Sequence, residues 1–442
     1  MKKLLSVVLA VLMLAVMLPV SALAAEGYVT VSGIKGFEGQ QFASFAEAYA
    51  AIKPTMETLG LGEETPVNAE AFDALFTDVT DGKATLTYTI SGNVTYDEAS
   101  CKNLLTMGRK TSHYLTNERH LINFKFVGAT GRDSDTLTVN SNITLPYEWW
   151  GEKTTTSISF ENLTITGTAP NGLYPTQKFF EGINFKVDNC KLEGIKIYNC
   201  SNVGGSYTIT NNIFDGTNAP QNAYAIHLQG NETAPLTINI SNNTISGYDR
   251  GINIDQKTAA ATISNNNISV KDTGRSCIQL TRLASTKVEN NTMNLTGGNA
   301  ITLHEELLKC AKPEITVSGN TINGTGYLIY DDATANNKSF TNDNLTLAIT
   351  EDNTVAKTVD ITQGVKGSTK YGMSEIVKTT VENNVVPGGS TGGTIVIITP
   401  TEDTPKTEPE KNPTTGANDM VAAAVALMAV SALGAAVLTR KK

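Results

Sequence analysis

Ile238-Asn239-Ile240-Ser241-Asn242-Asn243-Thr244-Ile245 is followed by Thr262-Ile263-Ser264-Asn265-Asn266-Asn267-Ile268, and then by Lys287-Val288-Glu289-Asn290-Asn291-Thr292-Met293. The same figure recurs around Asn162, Asn189, Asn212 and Asn320, with Asn344 as one further candidate. The steps between successive anchors are 27, 23, 31, 23, 25, 29 and 24 residues. A period in this range marks an array of stacked units. An apolar residue stands three positions before the anchor (Ile209, Ile240, Ile263, Val288, Val317) and another two after it (Phe214, Ile245, Ile268, Met293, Ile322).

The local rhythm is that of strands. About ten residues past each anchor come Ala225-Ile226-His227-Leu228, Gly251-Ile252-Asn253-Ile254, Cys277-Ile278-Gln279-Leu280, Ala300-Ile301-Thr302-Leu303 and Leu328-Ile329-Tyr330. These alternate apolar and polar with period two, as a strand with one wet face does. Helical repeats would show a 3.6-residue period, and leucine-rich repeats a leucine-dense consensus. Neither is present. A parallel β-helix remains, in which each repeat is one coil stacked on the last by main-chain hydrogen bonds. About ten coils at ~4.8 Å each would give a rod on the order of 50 Å long.

The pattern resembles the right-handed parallel β-helix repeat of the pectate-lyase-like superfamily, and the Asn anchors resemble the asparagine ladder of that fold. The resemblance covers roughly 270 residues and implies a fold, not an activity. The fold class expected is all-β: a right-handed solenoid over residues 83–354 with a small helical cap over 26–82, and a last coil or C-terminal cap over 355–386. In the cap, Ser44 and Glu47 form a capping box, and Phe45, Tyr49 and Ile52 share a helical face. Pro54 is read as the end of that helix. A second short helix is expected from Asn68, burying Phe72, Leu75 and Phe76. Cys101 to Arg119 reads as a polar excursion. Tyr147, Trp149 and Trp150 stand where they could stack on sugar rings or pack beneath a loop.

The two ends read as export and anchoring signals. Residues 1–25 have a charged start (Lys2, Lys3), an apolar run from Leu4 to Val20 and a small-residue cleavage site at Ala22-Leu23-Ala24. Residues 387–411 are rich in Pro, Gly, Thr, Glu and Lys, too poor in apolar residues to bury a core, and read as a disordered stalk. Within 412–442, Asn412-Pro413-Thr414-Thr415-Gly416 precedes an apolar run from Met420 to Leu438 and then Arg440-Lys441-Lys442. The run is long enough to span a bilayer with the basic end inside. This order resembles a Gram-positive cell-wall sorting signal. The resemblance implies a sortase as partner, cleavage between Thr415 and Gly416, and covalent linkage of Thr415 to peptidoglycan on the outer surface, with the apolar segment in the membrane before sorting. The family's commonest motif begins with Leu where this chain has Asn412.

The formal net charge is −9. Without the two terminal signals it is about −13, because Lys2, Lys3, Arg440, Lys441 and Lys442 leave together with Asp419. An acidic surface argues against nucleic acid as a partner. The five cysteines, Cys101, Cys190, Cys200, Cys277 and Cys310, fit no disulfide framework or zinc motif. They read as buried free thiols, with a Cys190–Cys200 pair as the alternative.

Alternation of the second strand gives two outward columns. One is Lys196, His227, Asn253, Gln279, Thr302, Tyr330. The other, two residues on, is Tyr198, Gln229, Asp255, Thr281, His304, Asp332. Such a strip can meet successive sugars of a polymer, and the ligand-binding candidates are His227, Gln229, Asn253, Asp255, Gln279, His304, Tyr330 and Asp332. An outward strand face is also polar merely for solubility. Catalytic candidates are Asp249, Asp255, His304 and Asp332, with Arg250, Lys257, Arg275 and Arg282 as possible bases and calcium as a possible cofactor. Asp255 and Asp332 lie three coils apart, too far for a hydrolytic pair. The sets of residues that polygalacturonase-like members carry are missing. The reading preferred is therefore a monomeric, wall-anchored, adhesin-like protein that binds a polysaccharide or glycan. A surface lyase or glycoside hydrolase and a stalk without ligand stay open as alternatives.

Overall fold

The computed structural model describes residues 27–388, except 59–72, 78, 81–82, 97–120, 142, 144–155, 170–171, 174–182, 202–204, 231–234 and 272–273. The signal peptide, Asn68 and Phe72, Cys101 to Arg119, the Tyr147–Trp150 cluster, the stalk and the sorting signal all lie outside the described residues. No helix among the described residues is long and apolar enough to cross a membrane.

The chain winds as a right-handed parallel β-helix with three faces. The first face carries ten parallel strands, from Lys83–Ser91 through Ile183–Asp188 and Leu236–Ser241 to Thr346–Ile349. The second is built of shorter strands such as Lys191–Glu193, Ile213–Asp215 and Asn267–Val270. The third holds Ile197–Ser201, Tyr224–Gly230, Arg250–Asp255 and Ser276–Arg282, then the later parts of the long strands Thr292–Leu303 and Thr321–Asp331. Pairing aligns like with like: Ile209, Ile240, Ile263, Val288 and Val317 follow one another in register. All five are buried, as are Phe214, Ile245, Ile268, Met293 and Ile322. The core is thus a set of apolar columns parallel to the rod axis. Where the column is aromatic, rings stack, with Phe126 and Phe160 5.0 Å apart and nearly parallel.

The corner between the first and second faces explains the Asn-Asn doublets. The first Asn of each pair (Asn211, Asn242, Asn265, Asn290) takes a positive φ of 55 to 60°, a conformation that asparagine tolerates better than most residues. The second turns inward and is fully buried. The amide nitrogen of Asn243 donates to the Asn266 Oδ1 (2.9 Å) and to the Ile209 carbonyl (2.8 Å), and its backbone N–H donates to the same Asn266 oxygen (3.0 Å). Asn212, Asn266, Asn291 and Asn320 repeat this figure, each toward the next coil. The recurring anchors therefore belong to two columns. Asn162 and Asn189 occupy the positive-φ position (56° and 52°), and Leu163 and Cys190 stand where the ladder would continue. Asn344 is not a rung: it closes a turn, accepting from the Thr341 N–H. The last rung is Asn353, which accepts from Asn320.

The N-terminal coil is closed by both strand and helix. Tyr28–Ser32 pairs antiparallel with Lys83–Ser91, and Gln40–Phe42 pairs with Tyr28–Ser32 in turn. Ser44 Oγ accepts from the Glu47 N–H at the start of the helix Phe45–Thr58, and Glu47 reaches back to the Ala43 N–H. Phe45 plugs the open column, with its ring 5.5 Å from Tyr88 and 5.8 Å from Tyr96. Phe45, Ala48 and Ile52 form the buried face, and Tyr49 packs at its margin. Pro54 does not end the helix but lies within it. A proline removes one hydrogen bond and bends the axis, and the helix can run on past it. At the other end the helix Glu375–Asn384 buries Val377 and Val381. Before it, a hairpin of Gly364–Lys366 and Thr369–Tyr371 leaves the stack.

Cys190 and Cys277 are buried free thiols, both pushed up to about 12 by burial. The Cys190–Cys200 pairing is thereby excluded, and Cys310, which is partly exposed, departs from the buried reading.

Replacing Asn266 by Leu would orphan the Ile240 carbonyl and two Asn243 donors inside the rod. At ~1–3 kcal/mol per stranded buried group, with partial relaxation, the expected loss is roughly 3 kcal/mol, read as a lower urea midpoint.

Candidate ligand-binding site

The third face does not alternate strictly. From the second strand on, two consecutive buried residues stand near the start of each run on this face: Ala225-Ile226, Gly251-Ile252, Cys277-Ile278, Ala300-Ile301, Leu328-Ile329. The chain turns a corner between them, so the residue two before each isoleucine also faces outward. This adds a column of Tyr224 beside Arg250, and Ser276 beside Asn299 and Tyr327. The central column is Tyr198, His227, Asn253, Gln279, Thr302 and Tyr330. Tyr198, not Lys196, lies opposite His227, which corrects the first rung expected from alternation. In the column two residues further on, Gln229 meets Asp255, and a register shift then sets Asp255 against Arg282 instead of Thr281. The column breaks there, because Leu303 and Asp331 are the next paired residues.

A pocket of about 150 Å³ opens on this face. Its floor is Ser276, Gln279, Asn299, Thr302 and Tyr330. Tyr224 and Arg250 stand at one end. His304 and Asp332 form one wall, while Gly274, Arg275, Val365 and Lys366 form the other. The second wall belongs partly to the hairpin, which lies against the coils by close backbone contact. A Cβ on Gly364 would fall 2.5 Å from the Tyr330 Cα, and one on Gly274 2.6 Å from the Gly367 Cα. Asn299, buried, grips the hairpin at both backbone groups of Val365, accepting its N–H at 3.0 Å and donating to its carbonyl at 2.7 Å.

Charges are unevenly matched around this space. Among the described lining residues Asp332 is the one carboxylate, and it is heavily engaged. Lys366 Nζ (3.0 Å) and Tyr330 Oη (2.9 Å) both donate to its Oδ1, and His304 Nε2 lies 3.4 Å from Oδ2. Burial opposes ionisation of Asp332, but these partners outweigh it and hold its carboxyl below the ordinary value. Burial, and then the bond to Asp332, push the Tyr330 hydroxyl well up. His304 Nδ1 accepts from the Glu306 N–H, so the ring proton sits on Nε2, toward Asp332. Arg250 lies with its guanidinium carbon 4.9 Å from the centre of the Tyr224 ring and donates through Nη1 to the Tyr224 hydroxyl. Its Nε is buried without an acceptor, and among the described residues no carboxylate pairs with it. Toward the N-terminus the face continues as an aromatic shelf, with His227 4.8 Å from Tyr224 and 5.0 Å from Tyr198.

A family model described as a right handed beta helix region matches residues 172–345. The matched span carries the ladder from Asn212 to Asn320 and every described lining residue of the pocket except Val365 and Lys366. Neither the curated proteins nor the solved structures contain a match to the chain.

Of the four catalytic candidates, His304 and Asp332 come together in the pocket. Asp255 is bound to Arg282 at 2.5 Å, outside it. Asp249 is buried at a turn, accepting the Asn222 N–H with Lys271 3.7 Å away. Among the strip candidates, Gln279 and Tyr330 line the pocket, and His227 lies on the shelf beside it. Gln229 accepts from the Tyr198 hydroxyl, and Asn253 is buried under Thr281, whose hydroxyl it accepts. Asp331, the neighbour of Asp332, caps the short helix Asp332–Ala335 and is committed there. Among the described residues no three His, Cys, Asp or Glu side chains converge as a metal ion would require. Tyr224, Asn299 and Lys366 were not foreseen. The first two share a fixed offset from the repeating isoleucine, a signal present in the sequence. Lys366 sits in the hairpin, where no period points to it.

Burial, in competition with the field of Asp255, holds the His227 imidazole down at about 4. Its folded value lies below the ordinary ~6.5. The stability this contributes is complete above about pH 6.5 and is lost as pH falls toward 4. A proton NMR titration should find one histidine still neutral at pH 5, and that signal should vanish in His227→Gln.

Proposed function

We propose that the protein is a wall-anchored surface rod that binds an acidic glycan on its third face. The observation that carries this reading is Arg250. It is an arginine stacked on Tyr224 in a pocket where Arg275 and Lys366 also converge and where, among the described lining residues, the one carboxylate, Asp332, is already engaged. On a chain of net charge −9 this gathers positive charge in a concave place. A polyanion is repelled by the body and drawn to the pocket. Arginine suits carboxylate and sulfate groups through its planar donors, and the Tyr198–His227–Tyr224 shelf offers apolar ring faces for sugars. The terminal signals support display. Residues 1–25 direct export, and Asn412 to Gly416 with the apolar run and basic tail is the substrate of a sortase that links Thr415 to peptidoglycan. The stalk of residues 387–411 holds the rod away from the wall.

Hydrolysis by a carboxylate pair draws no support from the pocket, since it needs two such groups around one sugar. Eliminative cleavage of the same acidic polymer is the second reading, favoured by His304 on the wall facing the arginine-bearing side.

Affinity electrophoresis through uronic-acid, sulfated and neutral polysaccharides should show retention by the acidic polymers alone, weakened by salt. Arg250→Gln should lower that affinity at least tenfold. Retention by neutral polymers, unchanged in Arg250→Gln, would overturn the reading, and new unsaturated products would move the protein to the lyases.

In a sortase-bearing Gram-positive host, the chain should appear in the peptidoglycan-linked fraction after cell-wall digestion. Thr415→Ala should abolish that linkage without lowering the amount of chain made.

A further inference from the structure

The third face is closed over at its C-terminal end. The shelf of Tyr198, His227 and Tyr224 leads along the rod toward Gln279, Thr302 and Tyr330, which lie at successive coils ~4.8 Å apart. Tyr330 is the last member of that column. The following strand on this face, Val359–Asp360, pairs only with Gly326 and Tyr327. The chain then doubles back as the hairpin over the coils it has just formed, held at Tyr330, Asn299 and Gly274. From the hairpin Lys366 reaches across to Asp332 on the opposite wall, 3.0 Å away. Tyr330, half-facing Tyr371 at 5.9 Å, donates to the same carboxylate oxygen. The Lys366–Asp332–Tyr330 crossing bars the groove. A polymer laid along the shelf meets this bar and cannot continue.

We infer that the pocket reads a chain end. The terminal sugar of an acidic glycan, bearing a carboxylate or a sulfate, fills the space among Arg250, Arg275 and Lys366, and the sugars behind it run back over Tyr224 and His227. This inference rests on the acidic-glycan reading above. The volume of about 150 Å³ agrees with it, being smaller than the ~300–1,000 Å³ of pockets that enclose larger ligands. The two glycine contacts are the structural device. Gly364 and Gly274 let the hairpin backbone lie where side chains would hold it off, so the bar stands at one fixed distance from the floor.

The test uses the purified full-length chain and hexasaccharides of three kinds: uronic acid, sulfated and neutral. Each is presented unmodified, with a bulky amide or alkyl cap at one end or the other, and as a long polymer of the same repeat. End recognition requires that affinity per chain, not per sugar, be constant between hexamer and polymer. It also requires that capping one end weaken binding at least tenfold while capping the other leaves it unchanged. The uronic and sulfated arms tell which anion is read. Lys366→Ser, at an exposed position on the hairpin, removes the bar together with one of the three cations, so it should lower affinity for the uncapped hexamer while closing the gap between the capped and uncapped hexamers. Affinity that rises with polymer length and ignores both caps would overturn end recognition while leaving acidic-glycan binding intact. No binding of any acidic hexamer or polymer would overturn that reading itself and the inference with it.

Discussion

The buried amide ladder is the interaction on which the rod depends. At the corner between the first and second faces the backbone turns too sharply for the coil to satisfy its own donors and acceptors. A side chain with both kinds of group must supply what is missing, and its partner must be the same side chain one coil away. From Asn212 to Asn320 each rung donates forward to the next amide and outward to a main-chain carbonyl of the coil before, and Asn353 ends the series as acceptor. The arrangement fixes the coil-to-coil register, and the register in turn decides which outward side chains stand beside one another. Tyr224 lies next to Arg250 because Asn212 lies next to Asn243, and Gln279 lies next to Thr302 because Asn266 lies next to Asn291.

Where the ladder lapses, packing takes over. Leu163 and Cys190 occupy its first two positions, and there the interior is widest in aromatic rings, with Phe126, Phe160, Phe185 and Tyr207 in sequence. The rod thus has an aromatic first half and an amide-laced second half. The pocket sits on the second, where polar registration is strictest.

Much of this was legible from residues alone. The doublets and their flanking aliphatic positions specify a stack of short strands, because only a repeating corner calls for the same polar residue every 23 to 33 positions. The distinction between the two asparagines of a doublet was not legible, since one serves backbone conformation and the other hydrogen bonding, and composition does not separate them. Period-two alternation placed His227, Gln279, Thr302 and Tyr330 together. It missed Tyr224 and Asn299, because a strand that starts on a bend buries two residues running. It joined Asp255 to Asp332, because a register shift at Arg282 leaves no mark in a sequence. Pro54 shows the same limit: a local rule about proline yields to the packing of Phe45, Ala48 and Ile52 on the first coil.

The hairpin that closes the groove is joined to the floor at residues lying 34 to 93 positions before it, across three coils from Gly274 to Tyr330. This divides the rod into segments with different freedom to change by duplication. A coil gained or lost before Tyr198 would alter only how far the site stands from the capped end. A coil gained between Gly274 and Tyr330 would carry the hairpin ~4.8 Å along the axis, parting Gly367 from Gly274 while Lys366 kept its hold on Asp332. Length in this protein is therefore a free variable on one side of the binding face and a fixed one beneath it.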